Sequence, residues 1–151
     1  MIEIYNNFIS DNECNELLEY YDDNIEKERS TVNNVYSFKS VDIQNYNQLL
    51  LSKKLKINNP KVLRIQKIDN TFETTPNTHR HNILWTYLIF LSDNFEGGNL
   101  IIENMNIVPR KNQLIVFSGH LNHKVENVLS GERYTFICFD NKKAGINKFL
   151  I

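Results

Sequence analysis

Three histidines and one arginine in the second half of this 151-residue chain have the types and spacing to build a metal site beside an anion site. His79 and His81 flank Arg80, and side chains two apart on an extended segment point the same way, so both imidazoles can face one point. His123 lies on a later predicted strand and can approach that point from the side in a rolled-up sheet. Neutral imidazole suits iron, zinc, copper or nickel. Arg133 stands ten residues after His123. Strand alternation puts Arg133, Thr135 and Ile137 on one face and Tyr134, Phe136 and Cys138 on the other. An inward guanidinium beside an inward hydroxyl is costly to bury without an anion. Guanidinium grips a carboxylate through two parallel hydrogen bonds, to which Thr135 adds a third.

A lone histidine is more often a surface or hydrogen-bonded core residue than a ligand. The pair, the third histidine and the strand pattern together favour a metal. The competing reading of Arg133 is that it follows the turn at Gly131 and faces water. His120 reads as a solvated loop residue, Trp85, Tyr87 and Phe90 as core, and Phe95 to Gly98 as a structural hairpin. The chain has no phosphate-cradling Gly-rich loop, nucleophile elbow or zinc knuckle.

The elements that must position these residues change in period near residue 60. Ser10 and Glu13 have the form of a capping box, and Cys14, Leu17, Leu18 and Tyr21 follow as one apolar helix face. A second helix is expected over Ile43 to Leu55, with a short strand at Asn33 to Ser40 between the two. From Lys61 the pattern is of strands: Val62 to Asp69, Trp85 to Ser92, Asn99 to Glu103, and Gln113 to Phe117 after a turn at Pro109 to Asn112. His123 to Val128 and Arg133 to Asp140 are read as a final hairpin. Short strands without intervening helices predict a mainly β fold with N-terminal helices, a jelly roll or barrel. The expected layout is one domain over 1–151, with 1–60 as mainly helical support, 61–140 as the jelly-roll core and 141–151 as a C-terminal tail.

A net charge of −1 gives no electrostatic signal for nucleic acid. Cys14 and Cys138 form neither a metal knuckle nor a disulfide framework, which points to the cytoplasm or another reducing compartment. The start, Met1-Ile2-Glu3-Ile4, lacks the regions of a signal peptide, and the apolar run Ile83 to Leu91 is too short to cross a bilayer. The richness in Asn, Ile and Lys is that of an AT-rich genome, such as a virus or phage.

The second half also resembles a known family. The chain offers Phe90-Leu91-Ser92, Phe95-Glu96-Gly97-Gly98, Pro109 to Asn112, Leu114-Ile115-Val116-Phe117, His123-Lys124-Val125-Glu126-Asn127-Val128 and Gly131-Glu132-Arg133-Tyr134. This succession is similar to that of the Fe(II)/2-oxoglutarate-dependent dioxygenases, in their prolyl 4-hydroxylase-like branch. Asn7-Phe8-Ile9-Ser10-Asp11, with Cys14 and Leu17, resembles that family's first helix. The resemblance implies a double-stranded β-helix (cupin-like jelly roll), Fe(II) as metal and 2-oxoglutarate as co-substrate, oxidised to succinate and carbon dioxide as the substrate is hydroxylated. It makes His79 the first iron ligand and His123 the distal one. Arg133, with Thr135, would hold the far carboxylate of 2-oxoglutarate.

The departure is His81, which stands where the family has aspartate or glutamate. Three readings stay open: His81 coordinates, water takes the third place, or the site is degenerate. Asp69 or Glu73 is a further carboxylate source from the preceding loop. Beside the hydroxylase stand two alternatives, a catalytically silent binding barrel and a three-histidine dioxygenase that does not use 2-oxoglutarate. The substrate, a small molecule or a peptide, is expected at loops Asn70 to Thr78 and His120 to Asn122.

Overall fold

Near-continuously apolar strands such as Trp85–Phe90 need two buried faces, and here both are supplied. The computed structural model describes residues 1–71 and 77–147. The N-terminal half contains β1 (Ile2–Tyr5), helix α1 (Asp11–Asp23), β2 (Arg29–Thr31), β3 (Phe38–Asp42), β4 (Leu55–Lys56) and β5 (Val62–Asp69). Strands β6 (Trp85–Phe90), β7 (Glu96–Gly97), β8 (Leu100–Ile102), β9 (Met105–Ile107) and β10 (Leu114–Phe117) follow. The last are β11 (His123–Val125), β12 (Val128–Ser130), β13 (Glu132–Asp140) and β14 (Gly145–Ile146).

A seven-stranded sheet of order β1-β10-β6-β13-β5-β3-β2 forms the major wall. The minor wall consists of β11-β8-β9 and the pair β12-β7, while β14 pairs with β4. This is the mainly β jelly roll expected from the strand pattern. One face of the major sheet buries Ile65, Ile89, Phe136 and Cys138 against α1 and the turns that follow β3. Its other face, with Leu88, Phe90, Ile137 and Phe139, packs against Leu100, Ile102 and Val125 of the minor wall. The second face encloses the histidines.

Helix α1 starts where the capping box places it. Ser10 Oγ accepts the Glu13 N–H, and the Glu13 carboxylate accepts the Ser10 N–H. Lys54 Nζ, 2.7 Å from Glu13 Oε1, ties this corner to the turns above the sheet. Cys14, Leu17 and Tyr21 are buried.

Three expectations need correction. Ile43 to Leu55 is not a helix: it forms two 3-10 turns, Tyr46–Gln48 and Leu50–Lys53, and ends at β4. Leu49 between the turns is extended, and the Ser52 hydroxyl donates to the Leu49 carbonyl. Asparagine and serine that bond locally to backbone compete with a continuous helix. Nor is the end of the chain a hairpin of neighbouring strands. β12 pairs with β7 in the minor wall, and β13 pairs with β5 and β6 in the major one, so the turn between them carries the chain from wall to wall. The strand expected at Asn33 to Ser40 begins only at Phe38 and pairs with both β2 and β5.

Candidate active site

The three histidines converge. Their ligating atoms lie within 4.8 Å of one another, and ring centroids are 4.2 Å apart for His79 and His123 and 4.8 Å for His81 to each of the others. Backbone pairing sets this geometry. The His79 N–H donates to the His123 carbonyl at 2.9 Å and the His123 N–H to the His79 carbonyl at 3.0 Å, an isolated bridge between the incoming segment and β11. The His81 N–H donates to the Gly119 carbonyl at 2.6 Å. Gly119 must lack a side chain here, since a Cβ would stand 2.3 Å from the Ile83 carbonyl oxygen and 3.1 Å from His81 Cβ.

The next layer fixes which nitrogen faces inward. His123 Nδ1 lies 2.7 Å from the Leu121 carbonyl and His79 Nδ1 3.3 Å from that of Asn77. A carbonyl only accepts, so each Nδ1 carries the proton and each Nε2 keeps its lone pair for a metal. Burial holds the imidazoles in the neutral, ligating form. It lowers the pKa of His79 and, with the neighbouring charges of His123, His79 and Arg64, pushes His81 down to about 4. His123 is also pushed down to about 4, mainly by burial.

These shifts fix the sign of a pH effect. The unfolded chain binds protons near pH 6.5 that the folded metal-free chain refuses until about pH 4, so stability rises with pH across that window. The thermal midpoint of metal-free protein is expected to fall as pH drops from 6.5 toward 4. His123→Gln should flatten that slope; an unchanged slope would show that these imidazoles are not held neutral.

Arg133, on β13, is fully buried. Its Nε donates to the Gly98 carbonyl at 2.8 Å, but Nη1 and Nη2 find no partner among the described residues. Thr135 Oγ1, also buried, is likewise unpaired. Burial pushes the guanidinium pKa down to about 10, which leaves it charged at neutral pH. A buried charge with two idle donors beside an idle hydroxyl is what a carboxylate would complete. Gly98, with φ +67°, permits the close approach, because a Cβ there would lie 2.9 Å from Arg133 Cδ. Gly98→Ala is therefore expected to displace Arg133. It should weaken dicarboxylate binding by about tenfold and lower the thermal midpoint, read by titration calorimetry and a melt.

The histidines and Arg133 line one pocket, together with Tyr36, Gln66 and Phe139. No aspartate or glutamate among the described residues lines it. Asp69 accepts from the Thr71 N–H and hydroxyl at its own turn and is not part of the histidine cluster. Glu73 lies outside the described residues. His120 is exposed, as expected, and Tyr87 and Phe90 are core.

A family model of the 2OG-Fe(II) oxygenase superfamily matches residues 65–140, about half of the chain. The chain belongs to that superfamily. No curated protein matches it in sequence. Among solved structures, it is similar to the viral collagen prolyl hydroxylase of Paramecium bursaria Chlorella virus-1, solved with 2OG. That match has TM-score 0.64 and 16% identity, covering 91% of this chain and 94% of that one. A prolyl hydroxylase of Trichoplax adhaerens, in complex with a hypoxia-inducible-factor peptide fragment, matches at TM-score 0.71 and 17% identity over 93% and 83%. A prolyl-4-hydroxylase of Pseudomonas putida matches at TM-score 0.70 and 12% identity over 93% and 92%. At these identities the likeness speaks for the fold.

Membership makes the oxygenase an enzyme dependent on Fe(II) and 2-oxoglutarate. The residues present fit both groups: the imidazoles present neutral donors to a divalent metal, and the idle Arg133 and Thr135 atoms present donors to a carboxylate. Tyr36 and Gln66 escaped the sequence reading. The Tyr36 ring stacks on His79 at 5.9 Å, and its hydroxyl lies 3.4 Å from Gln66 Oε1. Tyr36 comes from a distant loop, and no local pattern marks it.

Proposed function

We propose that the chain is a hydroxylase acting on a peptide, with His79, His81 and His123 holding the iron and Arg133 and Thr135 the far carboxylate of 2-oxoglutarate. The observation that carries the reading is the buried Arg133, whose Nη1 and Nη2 have no partner among the described residues, in the same pocket as three convergent imidazoles. A metal reaction without a dicarboxylate would leave that charge unmatched, which disfavours a three-histidine dioxygenase of another kind. When bound, the iron would let dioxygen act as the oxidant, with one oxygen atom going to the substrate and the other to 2-oxoglutarate, which is oxidised to succinate and carbon dioxide.

The protein's own part is placement. Leu121 and Asn77 carbonyls orient two imidazoles so that Nε2 faces the metal. Arg133 and Thr135 would hold the far carboxylate of 2-oxoglutarate through their unpartnered donors. Phe117 and Phe139, packed on His123 and His81, exclude water from one side. The peptide class is supported by the neighbour solved with a peptide fragment, and a small molecule is the other candidate. Residues 1–151 are proposed to act as one domain. Both cysteines are free and buried, in keeping with a reducing compartment such as the cytoplasm, and one similar structure is viral. No helix among the described residues is long and apolar enough to cross a membrane.

The test is an anaerobic titration of metal-free protein with Fe(II), with and without 2-oxoglutarate, following the visible charge-transfer band of the chelated complex. A saturable band is expected. Bound iron without a band would instead favour a three-histidine site that does not use this co-substrate, and neither band nor iron a silent binding barrel.

A further inference from the structure

A second concavity lies apart from the metal pocket. It is a groove of about 770 Å³ at the end of the major sheet where β3 finishes and β5 begins. Its rim is rich in side-chain amides: Gln44, Asn45, Asn47, Gln48 and Asn59. Three cationic side chains line it, Arg29, Lys61 and Arg64, and among the described residues a single carboxylate does, that of Asp42. Both Asp42 oxygens accept from Arg29 Nη2 at 2.8 Å. Arg64 has no ion pair among the described residues. Its Nε donates to Gln66 Oε1 at 2.7 Å, and its guanidinium lies 4.5 Å over Phe38 and 5.9 Å from the Phe139 ring. The head group is thus held flat, and Arg64 is one of the residues lining the groove.

Arg64 is also tied to the metal pocket. Its partner Gln66 lines that pocket, and Phe139 beneath it packs on His81 with centroids 4.8 Å apart. With the proposed metal held by neutral imidazoles, the two charges of the metal match the two of 2-oxoglutarate. Among the described residues no acidic side chain lines the pocket with Arg133, and Arg64, bonded to its lining residue Gln66, adds a second positive charge beside it. A mouth of this charge favours an anion.

We propose that Arg64 is a substrate-selecting residue, which binds an acidic side chain of the peptide to be hydroxylated and seats that peptide in the amide-lined groove. The reading rests on the histidines being the metal centre. Asparagine and glutamine side chains both donate and accept, and so pair with an extended backbone, while a planar guanidinium takes a carboxylate with two bonds.

The test uses the whole chain loaded with Zn(II) and 2-oxoglutarate, which does not turn over, and a pool of random octapeptides. Retained peptides are expected to be enriched in Asp or Glu. Arg64→Met should lose that enrichment and weaken the best acidic peptide by about tenfold or more, with Arg64→Lys between. Affinity for 2-oxoglutarate should stay within about threefold in Arg64→Met, which also shows that the variant is folded. Neutral sequences from the pool, or acidic ones held equally by Arg64→Met, would overturn the proposal. The same selection on metal-free protein separates the two readings. Acidic enrichment with no binding of metal or 2-oxoglutarate leaves the Arg64 site standing and removes the metal centre; metal and 2-oxoglutarate binding with neutral peptides does the reverse.

Discussion

Replacing Arg133 with methionine is expected to weaken 2-oxoglutarate binding by about two to three orders of magnitude while leaving metal affinity nearly intact. Breaking a buried charge pair by removing one partner costs about 3–5 kcal/mol, because the other charge stays buried and uncompensated. Here the stranded group would be the co-substrate's far carboxylate, with only Thr135 left to donate to it. A second effect has the opposite sign. Without co-substrate, Arg133 is a fully buried cation with Nη1 and Nη2 unpaired, and methionine removes that burden. The Gly98 carbonyl loses its donor, which offsets part of the gain. The variant alone should therefore melt no lower than the parent, whereas the rise in midpoint that 2-oxoglutarate gives the zinc-loaded parent should vanish. Calorimetric titration and paired melts read both effects. Unchanged 2-oxoglutarate affinity in this variant would remove Arg133 from the co-substrate site.

That pairing of a buried arginine with its strand neighbours was legible before any coordinates. Alternation along β13 is strict, and a nine-residue strand leaves no freedom about which side Arg133 shares with Thr135 and Ile137. Val62–Asp69 is equally legible as a strand, from its length and its β-branched residues. The failures lie where local pattern is silent. Leu49-Leu50-Leu51 looks like the side of a helix, but the choice between helix and 3-10 turns is made by Ser52 and by how Tyr46 and Leu51 are buried. The supposed final hairpin failed because two strands separated by a tight turn can belong to different walls of a jelly roll. Tyr36, Gln66 and Arg64 are brought to the site only by the order β13-β5-β3 in the sheet. Their roles depend on contacts thirty or more residues away, which no window of sequence contains.

His81 carries the remaining large effect. If it ligates, His81→Ala should lower metal affinity by about a hundredfold, comparable to loss of His123, since each removes one of three neutral donors. His81→Asp should behave differently. A carboxylate offsets one charge of the metal and presents a harder oxygen donor, so metal is retained but the order of preference shifts. Iron and manganese should gain on zinc and copper by about tenfold relative to the parent. Aspartate is smaller than histidine, and the His81 N–H bonded to the Gly119 carbonyl holds the backbone in place through the exchange. Competition between metals against a chromophoric chelator measures the order directly, without turnover. Full metal affinity in His81→Ala would show that His79 and His123 suffice, and the third imidazole would then be packing against Phe139. A loss in His81→Ala that Asp restores with altered selectivity is the signature of a ligand. It would mean that this chain reaches the superfamily's metal chemistry with three nitrogens, and that the charge usually cancelled by a ligand carboxylate is left for co-substrate and substrate to balance.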